Sequence, residues 1–415
     1  MRKRYVYGQN RKGVYLNSAD IELLYYLLQS QLLTSQQLLT LYKTMQPSAT
    51  INTIKSKMAR WKKYGVVVGN TYKLGQWGIS YNYYRIGARG ISILIDNGYL
   101  DESWRDKDVS RFSKRRNIEH YLGTQNIVCA AMAEAKVHDI SLETFEPYNS
   151  FFAPNDTKGI LPDWVLKQNE TYYCIELDVG TEPLSEIQSK IDRYFKLAKD
   201  KPDKTFVILF SILDDSLLTK NNYGSDRSKR IAGLKKILLN HPSCFLDNIS
   251  IYIKRLESAT LFLKELLITK RLSKEEKVNE IKNLLKLTTD INTQYDFKYT
   301  EVKNSYDPLI DGDLIINLKH DKRSNVVALL YLEEGNLLDY TKCVLLDAAS
   351  KSETNGLSKI IGIYKNAREL KEDHFGMQLT NTYFMEANNI LQFEKLKFFR
   401  LVSPFKKEGN LFETI

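Results

Sequence analysis

Apolar residues recur at helical spacing three times within the first 64 positions. Ile21, Leu24, Tyr25 and Leu28 mark a helix from Ser18 to Gln31, with Ser18 as its cap. Thr34-Ser35-Gln36-Gln37 opens a second, short helix carrying Leu38, Leu39 and Leu41. A third starts at Ser48 or Thr50 and runs to about Tyr64, with Ile51, Ile54, Met58 and Trp61 on one face. The pattern then changes. Val66-Val67-Val68, the turn Gly69-Asn70, Tyr72-Lys73-Leu74, a glycine-bearing tip (Gly75, Gly78) and the run Tyr81 to Ile86 predict a β-hairpin, and Ala88 to Asn97 predicts a closing helix. Helix, helix, helix, hairpin is the order of a winged helix-turn-helix, here spanning residues 1–100.

A polar linker, Asp101 to Arg116, separates this module from a second one over 117–255. Ile118, Tyr121, Leu122, Gln125, Val128, Cys129 and Met132 predict an amphipathic helix. Strands are expected at Leu142 to Pro147, Asp163 to Lys167 and Tyr172 to Asp178, with a turn at Asn155-Asp156. A helix from Leu184 to Lys199 follows, then a continuous apolar strand Thr205 to Leu213, a helix Ser225 to Leu239 and a strand Ile249 to Ile253. Residues 256–299 read as a helical linker with a cap at Ser273-Lys274-Glu275-Glu276. Residues 300–415 read as a third, α/β region of unknown fold. Its strands are expected at Asp313 to Leu318, Val326 to Leu332 and Lys342 to Leu346, and its helix at Leu357 to Leu370. The fold class is therefore α/β (α+β), with a mixed sheet in the central domain. No catalytic pattern stands out in the last region, whose default role is that of a scaffold or of a surface for a protein partner.

Charge sharpens the reading of the first module. Residues 1–116 hold 20 Lys or Arg against 7 Asp or Glu, a net of +13 in a chain whose total is +10, which leaves the other 299 residues at −3. A basic segment on a near-neutral body points to a polyanion, and double-stranded DNA is the expected partner. Lys55, Lys57, Arg60, Lys62 and Lys63 lie on the third helix, with no acid from Ala49 to Tyr64; Lys73 and Arg85 flank the hairpin. The third helix would enter the major groove and the tip would touch the backbone. The alternative is a small helical domain with a solvated charged face. The linker cations Arg111, Lys114, Arg115 and Arg116 read equally as phosphate contacts or as a solvated connector. No apolar run reaches 18 residues, and no apolar stretch of signal-peptide length follows the basic N-terminus. Cys129, Cys174, Cys244 and Cys343 have neither metal nor redox spacing, so buried thiols in a cytoplasmic protein are expected.

The candidate chemistry is carboxylate chemistry. Pro162-Asp163 is followed, after twelve intervening residues, by Glu176-Leu177-Asp178. A hairpin turning at Gln168 to Thr171 would bring Asp163 and Glu176 to one edge, where oxygen ligands suit Mg²⁺ or Mn²⁺. Asp178 projects to the same face as Glu176 and is a possible third ligand. The pattern resembles the PD-(D/E)xK nuclease superfamily, the restriction-endonuclease-like fold. The longer stretch Glu176-Leu177-Asp178-Val179-Gly180-Thr181-Glu182-Pro183, with Leu184, Lys190 and Tyr194 after it, resembles the replication-relaxation family of plasmid and mobile-element proteins, which are related to the MobC-type relaxases.

That resemblance covers roughly residues 15–255. It implies nicking of plasmid or mobile-element DNA at an origin, with Asp163 and Glu176 as metal ligands. One departure stands out: the superfamily's lysine two places after the glutamate is Asp178 here. Lys190 either supplies that charge from the next helix or is a surface lysine. Without such a lysine the domain would be a degenerate nuclease in a DNA-binding regulator. His120 beside Glu119 reads as a residue facing the cleft or as a helix-surface pair, Tyr194 as a nucleophile or as core, and Gly180-Thr181 as a phosphate-holding turn or a structural one.

Overall fold

A computed structural model describes residues 3–7, 12–73, 80–114, 117–145, 160–217, 227–239, 242–269, 271–291, 298–301, 312–320, 323–352, 356–387 and 398–410. The hairpin tip at 74–79, the expected turn at Asn155-Asp156, the cations Arg115 and Arg116, and the side chains of Lys114 and Cys244 lie outside what is described. The chain divides into two compact units. One gathers Met1–Val179, Leu213–Tyr223 and Leu256–Thr269; the other gathers Gly180–Ile212, Gly224–Arg255 and Lys270–Ile415.

The first unit opens with a hairpin that the hydrophobic pattern did not predict, β1 (Lys3–Tyr7) and β2 (Lys12–Leu16). Then come α1 (Ser18–Gln29), the short β3 (Leu33–Thr34), α2 (Ser35–Lys43) and α3 (Ile51–Lys63). Each helix starts in a capping box, in which the cap side chain and the residue three on satisfy each other's backbone amides: Asn17 with Asp20, Thr34 with Gln37, Thr50 with Thr53. The cap of α1 is thus Asn17 and not the expected Ser18, because Asn17 is the residue still in extended conformation. Strands β4 (Val67–Lys73) and β5 (Ser80–Ile86) form a hairpin in which Gly69-Asn70, expected as a turn, lie inside β4 opposite Tyr84 and Tyr83, and β3 adds to the free edge of β5. Helix α4 (Ala88–Asp96) follows, and two 3₁₀ turns, Glu102–Asp106 and Val109–Lys114, occupy the linker.

Helix α5 (Ile118–Val137) departs from expectation. The pattern predicts one apolar face, yet the helix is buried all round, including Glu119, Gly123, Thr124, Gln125, Ala130, Ala131 and Ala133. A helix covered on every side keeps no polar stripe, and here small residues let neighbours approach closely. On one side Gln37 of α2 donates from Nε2 to the Leu122 carbonyl (2.7 Å) and to Asn126 Oδ1 (2.6 Å), while the Tyr121 hydroxyl donates to the Ser30 carbonyl (2.8 Å). On another, Gly123 meets β8 so closely that a Cβ would lie 2.5 Å from Leu177 Cδ2. Strands β6 (Glu143–Phe145), β7 (Trp164–Gln168) and β8 (Thr171–Asp178) form an antiparallel meander. Asn169, at φ 53°, makes the tight turn between the last two.

In the second unit α6 (Leu184–Asp200) precedes β9 (Thr205–Ile212), α7 (Arg227–Leu238) and β10 (Ile249–Arg255), and β9 pairs with β10 in parallel. Helix α8 (Leu256–Ile268) then returns the chain to the first unit, where it packs along α5. Helix α9 (Lys274–Ile291) begins at the expected cap, with Ser273 N donating to Glu276 Oε2 (2.6 Å) and Glu276 N to Ser273 Oγ (3.2 Å). Next are β11 (Lys298–Glu301), β12 (Leu314–His320), β13 (Arg323–Leu332), α10 (Leu337–Ala349), β14 (Leu357–Tyr364), α11 (Ala367–Glu372), β15 (Thr382–Glu386), β16 (Phe398–Ser403) and β17 (Lys406–Asn410). Strands β11 to β17 lie in sequence order in one sheet, parallel across β13, β14 and β15 and antiparallel elsewhere.

Two expectations fail in this region. Lys342 to Leu346, predicted as a strand, lies inside α10, and Leu357 to Leu370, predicted as a helix, is β14 followed by α11. A short apolar run carries no periodicity that separates helix from strand. Asn336, whose Oδ1 caps the amides of Leu338 and Asp339, commits the first stretch to a helix. The β-branched Ile360, Ile361 and Ile363 commit the second to a strand buried on both faces. Ile281 and Leu284 of α9 cover one face of the sheet with Val327, Leu329 and Ile361. On the other, Tyr340 of α10 stacks on Phe375 and Phe375 on Phe384.

Replacing Gln37 removes a capping-box partner and strands the Asn126 side chain and the Leu122 carbonyl in a buried contact. Gln37→Ala is expected to destabilise the chain by about 1–3 kcal/mol, read as a lower urea midpoint at unchanged slope.

Candidate nucleic-acid surface and carboxylate site

Helix α3 turns Ile54, Met58 and Trp61 inward, which leaves Asn52, Lys55, Ser56, Ala59, Arg60, Lys62 and Lys63 exposed on the opposite side. The sequence marks Lys57 together with these cations, but the structure assigns it differently. Its Nζ lies 2.6 Å from Asp20 Oδ1 and over the Tyr42 and Trp61 rings. Asp20 is buried and also accepts from the Tyr42 hydroxyl (3.0 Å) and the Asn17 amide (3.1 Å), so one carboxylate ties α1, α2 and α3 together. Lys57 is therefore a clamp within the fold. Arg85 is likewise half-buried, its guanidinium donating to the Ile86 carbonyl (3.0 Å); burial lowers its pKa against the pull of Asp108. Lys73, at the end of β4, is exposed.

The hairpin is tied to α5 by the Tyr72 hydroxyl, which donates to Glu119 Oε1. Tyr81 stacks on Tyr72 at 5.3 Å, and burial, then the charge of Glu119, raises the Tyr81 pKa. The residue after Glu119 is His120. It does not pair with Glu119 as a surface neighbour; its Nε2 lies 3.2 Å from Asp163 Oδ2. The same oxygen accepts the Leu177 amide at 2.7 Å. Desolvation pulls the His120 pKa down, but the hydrogen bond and charge of Asp163, the charge of Glu176 and the Leu177 backbone outweigh it, and the net shift is upward.

Asp163 precedes β7 by one residue. Trp164 pairs with Ile175, so extending the register by one position sets Asp163 opposite Glu176. Glu176 is 1% exposed and Asp178, two residues on and on the same face of β8, 3%. The chain thus brings together Asp163, Glu176 and His120. Among the described residues, no group of three or more His, Cys, Asp or Glu side chains is gathered as a metal ligand set. The donors at this site are two carboxylates, Glu176 and Asp163, and one Asp163 oxygen already holds His120 and the Leu177 amide. They do not form the three-carboxylate set of Asp163, Glu176 and Asp178 that the sequence suggests.

Lys190, on α6, lies 3.4 Å from Glu182 Oε1, and the Arg230 guanidinium donates to the Glu182 carbonyl (2.6 Å). Tyr194 is fully buried, as the core reading expects. Gly180 takes φ 82°, a left-handed turn that favours glycine. Cys129, Cys174 and Cys343 are buried free thiols. The signal for Asp20 and for the Tyr72–Glu119 link was absent locally: 37 and 47 residues separate the partners.

Comparison with known families adds one finding. Residues 24–208 match the family model described as replication-relaxation, from within α1 to within β9, so the matched segment contains α3, the hairpin, α5 and both carboxylates. No curated protein matches the chain.

The His120–Asp163 pair makes a pH prediction. A histidine whose pKa is raised on folding stabilises the fold below its unfolded value of about 6.5, and that stabilisation is lost as pH rises through the folded value. The stability difference between the parent and His120→Gln should therefore be larger at about pH 5.5 than at about pH 8.5. An NMR titration should place the imidazole midpoint above about 6.5 in the parent and lower in Asp163→Asn; identical midpoints would disprove the pairing.

Proposed function

From the match of residues 24–208 to the replication-relaxation family model, we propose that this chain binds double-stranded DNA of a plasmid or mobile element and acts on it in replication or transfer. The observation that carries the reading is the acid-free outer face of α3, where Lys55, Arg60, Lys62 and Lys63 are all exposed beside a hairpin ending in Lys73. In this reading the three helices and hairpin are a winged helix. Its third helix enters the major groove, and the hairpin lies along the phosphates.

The finer reading is a nicking activity at the carboxylate site, with Asp163 and Glu176 as the groups that would hold Mg²⁺ or Mn²⁺. When bound, such an ion would polarise a phosphodiester oxygen and supply a nucleophilic water. The chain's own contribution is positioning. His120 and the Leu177 amide fix one Asp163 oxygen, and the cross-strand register sets Glu176 beside it. Glu119 links the hairpin to the first turn of α5, so the surface proposed to hold the duplex and the group that holds Asp163 share one turn of helix. What favours the alternative, a regulator with a degenerate nuclease domain, is Asp178 at the position of the superfamily lysine, with Lys190 bound to Glu182.

Three measurements test these readings. Ala substitution of Lys55, Arg60, Lys62 and Lys63 should weaken duplex binding and flatten the slope of log affinity against log salt by up to about 0.9 per lost phosphate contact, with thermal stability unchanged. Lys57→Ala should instead lower stability by about 1–3 kcal/mol, since it leaves Asp20 buried without its cation. Supercoiled plasmid carrying the element's own origin, incubated with Mg²⁺ or Mn²⁺, should be nicked by the parent and not by Asp163→Asn or Glu176→Gln, which should still bind. Binding without nicking in all three would select the regulator.

A further inference from the structure

The second unit contains a cavity of about 360 Å³, lined, apart from Phe195, by residues beyond the segment that the family model matches. It opens between β10, the start of α9 and the first turns of α10. Its apolar wall includes Ile251, Leu272 and Leu338. Four cations line it, Arg271, Lys274, Lys277 and Lys342, against the three carboxylates Asp247, Asp313 and Asp339. Charge gathered around an empty volume of this size is a costly way to build a core, because ion pairs removed from water seldom recover their desolvation. It is a common way to build a ligand site.

The geometry of the pairs supports this distinction. Lys254 and Glu334, buried in the same unit and absent from the lining, close to 2.7 Å. That is the usual length of a charge-assisted bond, about 2.7–2.9 Å. The lysines facing the cavity are held more loosely. Lys277 Nζ is 3.3 Å from each Asp339 oxygen and 3.1 Å from the Tyr331 carbonyl, and Lys342 Nζ is 3.4 Å from Asp313 Oδ1. The two acids are anchored from behind by backbone amides: Asp313 Oδ2 accepts from Tyr331 N (2.8 Å) and Asp339 Oδ2 from Glu333 N (2.9 Å). Carboxylates fixed in this way are ready acceptors for hydroxyls or amines, and lysines at long range can turn to an incoming anion. Arg271 is held by Glu333 (3.1 Å) and by Ser250 Oγ at the cavity wall.

We propose that this cavity binds a small phosphorylated molecule of the mononucleotide class. The phosphate lies among Lys274, Lys277 and Lys342 beside the first turn of α9, where the helix dipole adds to the attraction. The sugar hydroxyls or base amines donate to Asp313 and Asp339, and the base rests on the wall of Ile251, Leu272 and Leu338. The three kinds of lining select this class: a sugar phosphate leaves the apolar wall uncovered, and inorganic phosphate leaves both the wall and the acids without partners.

Calorimetric titration of the full chain with AMP, GMP, CMP and UMP, and with glucose 6-phosphate and inorganic phosphate, tests the assignment. At least one mononucleotide should bind saturably at one site, and more tightly than the other two probes. Lys274→Ala and Lys342→Ala should each weaken it on the order of tenfold. Lys274 is exposed, so its variant should melt as the parent does without ligand. Binding should survive Ala substitution of the four α3 cations, which separates this site from the DNA surface. The proposal is overturned by any of three results: no mononucleotide binding by about 5 mM, equal binding of inorganic phosphate or the sugar phosphate, or binding untouched by both lysine variants.

Discussion

The first unit depends on the burial of α5 on every face between Glu119 and Ala135. A twenty-residue helix covered on every side needs neighbours on every side, and its composition determines how near they come. At Gly123 a Cβ would lie 2.5 Å from Leu177 Cδ2 of β8, so any larger residue there would have to displace that side chain. Alanines occupy much of the remaining surface, and α2 is locked on through Gln37. The basic three-helix module and the strand that carries Glu176 are consequently packed against one helix within one compact unit. The polar ends of α5 gain from this arrangement. Glu119 and His120, adjacent in sequence, point to the hairpin and to Asp163 respectively.

A second regularity concerns which cations are committed and which are not. A charge clamp inside the fold is short and partly or wholly out of water, as in Lys57 with Asp20 and Lys254 with Glu334. Lys55, Arg60, Lys62 and Lys63 stand in solvent on a face without acids, and there a polyanion gains most. Composition does not separate these classes. Lys55 and Lys57 are two residues apart on one helix, and 3.6-residue periodicity turns one outward and the other toward α1.

Much of the architecture is legible from local pattern. The three N-terminal helices, their hairpin, α5, α6, β9 and the cap at Ser273 all follow from apolar spacing and capping chemistry, which act within a few residues. The carboxylate pair is legible for the same reason, since a hairpin turning at Asn169 leaves few registers that bring Asp163 beside Glu176. Local pattern fails where short apolar runs are buried on both faces. Lys342 to Leu346 and Leu357 to Tyr364 are similarly apolar; the cap at Asn336 makes the first a helix, and β-branched isoleucines paired between two strands make the second a strand.

By itself, then, the chain's sequence determined an α/β protein with a basic N-terminal module, the order of its early elements, and the two carboxylates facing each other across a turn. These are short-range properties, carried by caps, periodicity and charge. Only the tertiary structure decided that Lys57 serves Asp20, that His120 serves Asp163, that Tyr72 reaches Glu119, and that four cations of the second unit surround a cavity. Each of those pairings joins residues tens of positions apart, and which distant partner a buried charge or hydroxyl meets is settled by how the helices and strands pack.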